Sequence, residues 1–102
     1  MTTRQIAPVH PGEILKYEFM VPLQLSANRL SILLSVPSGR ITQIVNGQRA
    51  ISVGTALRLA RLFGTSAEFW MNLQSLYDLQ VAEDELADEI NQAVKPLKKV
   101  AG

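Results

Sequence analysis

The chain has 102 residues, 47% of them hydrophobic, with ten basic side chains against nine acidic and a formal net charge of +1. That is enough for one domain with one modest core. There is no cysteine, which excludes disulfides, thiolate metal sites and a cysteine nucleophile, and with no membrane-length apolar run and no signal peptide the expectation is a soluble cytoplasmic protein.

Residues 1–9 show little periodicity and read as a loose N-terminal arm. His10-Pro11-Gly12-Glu13 opens a first helix, since proline suits the first helical position and an acid favours the positive end of the dipole. Ile14, Leu15 and Phe19 share one face of it, and Pro22 to Gln24 end it. Ser26 suits the N-cap of a second helix with Leu30, Leu33 and Leu34 inward. Ser35-Val36-Pro37 makes the turn into a third helix from about Ser38 to Asn46. Its apolar residues Ile41, Ile44 and Val45 fall at i, i+3, i+4, and Asn46-Gly47 is its stop signal. Ser52 caps a fourth helix with Val53, Ala56, Leu57, Ala60 and Phe63 inward, closed by Gly64. Thr65-Ser-Ala-Glu68 fits a capping box. From Thr65 to Lys95 there is neither Gly nor Pro, which allows one long helix or two abutting ones. No strand-like alternation or internal repeat appears, so the chain reads as all-α.

Charge is unevenly spread along these elements. From Phe19 to Ala67 there are five arginines (Arg29, Arg40, Arg49, Arg58, Arg61) and no Asp or Glu; all nine acids lie outside. A compact helical unit free of negative charge is what a phosphate-backbone binder needs. Two short helices joined by a tight turn, the second polar on its outer face, form the helix-turn-helix pattern, whose second helix enters the major groove. With Ile41, Ile44 and Val45 inward, Gly39, Gln43 and Asn46 point outward and Arg40 and Thr42 flank them. Gln43 matches an adenine edge, and Arg40 a guanine edge or a phosphate. Arg49 suits a phosphate, as do the N-terminal donors of the second helix near Ser26 and Asn28. The expected DNA face is therefore Ser26, Asn28, Ser38, Gly39, Arg40, Thr42, Gln43, Asn46 and Arg49.

The remaining features suit contacts with other proteins, or none. The face formed by Phe69, Trp70, Leu73, Leu76 and Tyr77 is core first, but wide enough that Phe69, Trp70, Leu73 and Tyr77 are the expected dimer interface. Seven acids and no base lie between Glu68 and Glu89. Asp84, Glu85, Asp88 and Glu89 make a solvated helix face rather than a cation site, and a docking surface for a basic partner if they have a role. His10 is the only histidine and reads as a helix-start residue. Lys95, Lys98 and Lys99 form a solubilising tail. No catalytic or metal-binding constellation is present, and neither enzyme activity nor a cofactor is expected.

Leu25 to Ser66 resembles the XRE-type, lambda-repressor-like helix-turn-helix, whose pattern ends in Asn-Gly and continues into a helix like Thr55-Ala-Leu-Arg-Leu-Ala-Arg-Leu-Phe-Gly64. Within that superfamily, His10-Pro-Gly-Glu-Ile-Leu15, Ile44-Val-Asn-Gly-Gln-Arg-Ala-Ile51 and Ser66-Ala-Glu-Phe-Trp-Met-Asn-Leu-Gln-Ser-Leu-Tyr-Asp-Leu79 resemble the HigA antitoxins. The resemblance spans about residues 8–82. It implies a homodimer that represses its own operon on double-stranded operator DNA and neutralises a HigB-type mRNA-cleaving toxin. Three positions depart from the pattern: Ala27 replaces a backbone-clamping glutamine, Ser35 stands at the usual turn glycine, and Pro37 stands where Ser or Thr often caps the recognition helix. The expected organisation is a five- to six-helix domain over 10–66 with a C-terminal helical extension over 67–102 for dimer and partner contacts. The alternatives are a stand-alone regulator without a toxin and a toxin-binding antitoxin that no longer binds operator.

Overall fold

The computed structural model describes residues 7–98; the first six residues of the expected arm, and Lys99 of the basic tail, lie outside them. The described residues are helical and contain no strand. Helix α1 (Pro11–Ile14) runs directly into a π-helical segment, Leu15–Met20. Helices α2 (Ala27–Leu34), α3 (Arg40–Val45), α4 (Val53–Phe63) and α5 (Ala67–Ala93) follow.

The caps explain where these helices begin. His10 Nδ1 accepts the Gly12 N–H at 2.9 Å with Pro11 in the first turn. Ser26, Ser52 and Ser66 each accept the N–H three residues on, satisfying a donor that has no partner within the helix. The cap of α5 is thus Ser66, not Thr65 as the capping-box spacing suggests. Thr65 instead accepts the Trp70 indole N–H at 2.7 Å. The recognition helix also starts later than its periodicity implies. Ser38 lies in the turn and Gly39, at φ 90°, precedes the first helical residue, Arg40, because the chain leaving Pro37 must pass through the left-handed region. Ser35 adopts that region too, at φ 56°.

The core gathers Leu15, Leu30, Leu34, Ile41, Ile44, Ile51, Leu59 and Trp70. Trp70 is fully buried, its ring centroid 4.9 Å from those of Phe19 and Phe69. One core therefore runs across residue 66, and the start of α5 belongs to the helix-turn-helix body rather than to a separate region. Three inward assignments are corrected. Leu33 stays 39% exposed while Ser31 is buried in its place, and Val53 and Leu57 are 62% and 58% exposed while Thr55, Ala56 and Leu59 face in. The small side chains at 31, 55 and 56 let the helices approach closely, and the leucines displaced outward line an open groove with Arg58 and Arg61.

Residues 67–93 form one helix, about 40 Å long at 1.5 Å per residue. Its outer half leaves the body: the radius of gyration is 17.2 Å and the long axis 54 Å, against about 13 Å expected for a compact chain of this length. No helix among the described residues is long and apolar enough to cross a membrane.

Candidate nucleic-acid interface

Helix α3 is held from below by Ile41 and Ile44, both fully buried. Their spacing leaves Thr42, Gln43 and Asn46 exposed, with Arg40 half-buried. Helix α1 supports α3 from the side. A Cβ on Gly12 would collide with the Ile44 backbone carbonyl, so this position admits only glycine and α1 lies directly against the end of α3. The ring of His10 meets Tyr77 of α5 edge-on, with centroids 4.8 Å apart. Burial pushes the His10 pKa below its ordinary 6.5, with Glu13 and Asp78 opposing the shift. The neutral ring is the form that can accept the Gly12 N–H.

The loop after α3 bends back over it. Arg49 Nε donates to Gln43 Oε1 at 2.9 Å, joining two residues of the expected DNA face. An amide that places its oxygen on a guanidinium holds its NH2 group in a fixed direction, so Arg49 also orients Gln43, a role its position past the helix did not reveal. Ser38, Gly39 and Asn46 stand exposed at the two ends of α3. Ser26 and Asn28 are exposed at the start of α2, and the Ser26 hydroxyl is used as the cap, accepting the Arg29 N–H at 3.0 Å. They stand on a different helix from the Arg49–Gln43 pair and are not bonded to it. Arg58 is occupied within the fold, where its guanidinium donates to the Leu34 carbonyl at 2.8 Å and closes the C-terminus of α2, an end that favours a cation.

The expected dimer residues turn mostly toward their own protomer. Trp70 is buried in the core, which removes it from any interface. Leu73 packs against that core, Tyr77 is half-buried against His10, and Phe69 alone of the four is exposed, at 38%. The reason is rotational: at about 100° per residue, a residue nine positions on lies on the opposite side of a helix. Leu79 therefore points away from the side that buries Trp70. Leu76, Leu79, Leu86 and Ile90 are exposed by 53%, 56%, 41% and 48% and form a second apolar stripe on the outer side of α5.

Gln74 is a further residue the sequence did not single out. It is buried, and its Oε1 accepts the Ile51 N–H at 2.8 Å. A polar side chain between apolar helix positions was the available signal. Among the described residues no cluster of His, Asp or Glu is arranged to hold a metal ion.

A short helix with a polar outer face, set on a rigid core behind a tight turn in an acid-free region, defines a helix-turn-helix DNA-binding protein. Residues 16–70 match the helix-turn-helix family model. The chain is 47% identical over 81 residues to virulence-associated protein I of Dichelobacter nodosus, covering 79% of this chain and 75% of that protein. It is 32% identical over 90 residues to antitoxin HigA-1 of Vibrio cholerae, covering 88% and 84%. Its structure matches that of the Pseudomonas aeruginosa antitoxin HigA with the higBA promoter at TM-score 0.87 and 44% identity, over 88% of this chain and 98% of that one. The chain belongs to the helix-turn-helix family and, within it, is a HigA-type antitoxin of the XRE kind, a DNA-binding transcription regulator.

Proposed function

We propose that the protein represses its own operon as a homodimer and neutralises a HigB-type mRNA-cleaving toxin in the cytoplasm, with no enzymatic activity of its own. The observation that carries the DNA part is the Arg49–Gln43 pair on an exposed, acid-free surface: one side chain suited to a base edge, held by another suited to phosphate. Ser26, Asn28, Ser38, Gly39, Arg40, Thr42 and Asn46 complete the face. Two half-sites are needed because one recognition helix reads only a few base pairs, and the outer stripe of α5 supports dimerisation. The acids between Glu68 and Glu89 support a basic partner.

Fluorescence anisotropy on a duplex from the protein's own promoter, against a scrambled duplex of equal length, tests repression. A specific site should bind at least about 10³-fold more tightly. Equal affinity for both duplexes would leave an antitoxin that acts through protein contacts alone. Co-expression with the product of the adjacent gene tests the toxin. Reversing Glu85 and Glu89 together should slow association more than it speeds dissociation, and an unchanged on-rate and salt dependence would move the docking surface elsewhere.

A further inference from the structure

We infer that Gln74, a buried residue of α5 outside the DNA face, is a positioning residue for Arg49 and, through it, for Gln43. The inference rests on the proposed roles of those two residues at DNA.

Residues 46–50 are all exposed, and the loop returns to the core at Ile51, which is 2% exposed. Its N–H enters a region where an unpaired donor would be costly. Gln74, 4% exposed and 23 residues away in the chain, supplies the acceptor at 2.8 Å. Which way its amide faces is fixed by a third group. Gln74 Nε2 donates to Asp78 Oδ1 at 2.9 Å, and an ionised carboxylate can only accept. The NH2 group must therefore face Asp78 and the oxygen must face Ile51. Arg49 lies two residues before that anchor and ends on Gln43. A continuous relay thus runs from Asp78 through Gln74, Ile51 and Arg49 to the outward residue of the recognition helix. The His10–Tyr77 contact lies close to the other end of the same loop, since a Cβ on Gly47 would come within 3.9 Å of the His10 ring. Helix α5, which carries the outer apolar stripe, therefore also sets where the loop's arginine stands.

A double-mutant cycle on the full chain tests this. Wild type, Gln74→Leu, Arg49→Ala and the double variant are titrated with the promoter duplex and the scrambled duplex at several salt concentrations. Circular dichroism melting fixes an assay temperature at which all four are folded. If Gln74→Leu does not fold, Gln74→Asn, too short to reach Ile51, takes its place. Each single change should weaken promoter binding by about tenfold and reduce the slope of log affinity against log salt by about one unit. The double variant should be no weaker than Arg49→Ala, because both changes break one relay. Gln74→Glu combined with Asp78→Asn keeps an acceptor on Ile51 and a donor–acceptor pair beyond it, and should restore the wild-type slope. Additive losses, or a Gln74 variant with wild-type salt slope, would show that Gln74 merely supports the core. An inert Arg49→Ala would remove the Arg49 reading and this inference with it.

Discussion

Helix α3 keeps one side in water and the outer half of α5 nearly all of its surface, and they present opposite chemistries there. In α3 two buried isoleucines fix six residues whose free side is Thr42 and Gln43. In α5 the free side carries Leu79, Leu86 and Ile90 among acids, with no basic residue from Glu68 to Val94. A polar face on a rigid support suits a ligand read by hydrogen bonds, and its position matters more than its area. An apolar stripe gains only by leaving water, so it calls for another protein surface. Under the proposed function, DNA falls to one helix and protein contacts to the other.

The largest effect that could break this comparison is at Trp70. If the inner side of α5 is core and the outer side is not, Trp70→Ala should cost about 3–5 kcal/mol in chemical denaturation. Ile90→Ala should change the stability of the folded protomer by less than about 1 kcal/mol. Similar losses at both positions would mean that the outer half of α5 is buried as well. Next in size is the proposed dimer. Leu79→Glu with Leu86→Glu should reduce the solution mass to that of an 11.2 kDa protomer, with helicity kept. Promoter affinity should fall by roughly 10²-fold as the two half-sites lose their linkage. A double variant that still sediments as a dimer would place the interface elsewhere, the groove between Leu33 and Leu57 being the next surface to examine.

Gln43→Ala sharpens the other side of the comparison. Because Gln43 lies off the core, the melting temperature should hold while promoter binding weakens by roughly 1–3 kcal/mol and preference at one base position is lost. Parent-like discrimination between promoter and scrambled duplex would show that this side chain does not read bases. The smallest effect concerns the brace beneath both helices. The folded pKa of His10 is depressed, so the unfolded chain binds more protons and stability rises with pH through this window. Its contribution is complete above about pH 6.5 and is lost as pH falls below that value toward the folded pKa. His10→Asn keeps an N-cap without titrating there, and should flatten thermal stability between pH 7 and 5. An unaltered pH profile would assign the loss to other groups.

Much of this was legible in the chain. Serines at caps, Asn46-Gly47 at a stop and a gap in the acids are local signals, and they located the helices and the exposed polar side of α3 because capping and charge act over a few residues. The choice of face was less legible wherever a helix was apolar on two sides. In α4 both Val53/Leu57 and Ala56/Leu59 are helical pairs, and packing buried the second. In α5 the aromatic cluster suggested an interface, yet Trp70 was needed inside, and the free apolar side emerged one half-turn away.

An all-helical, DNA-binding domain with its acids kept apart from its arginines follows from the chain alone, because helix periodicity, caps and charge distribution are properties of neighbouring residues. That Arg49 meets Gln43, that Gln74 holds Ile51 and that α5 presents its leucines rather than its tryptophan emerges only on packing. Those outcomes depend on which buried donors lacked partners and which side chains could fit a shared core, quantities that exist only once distant segments are packed together.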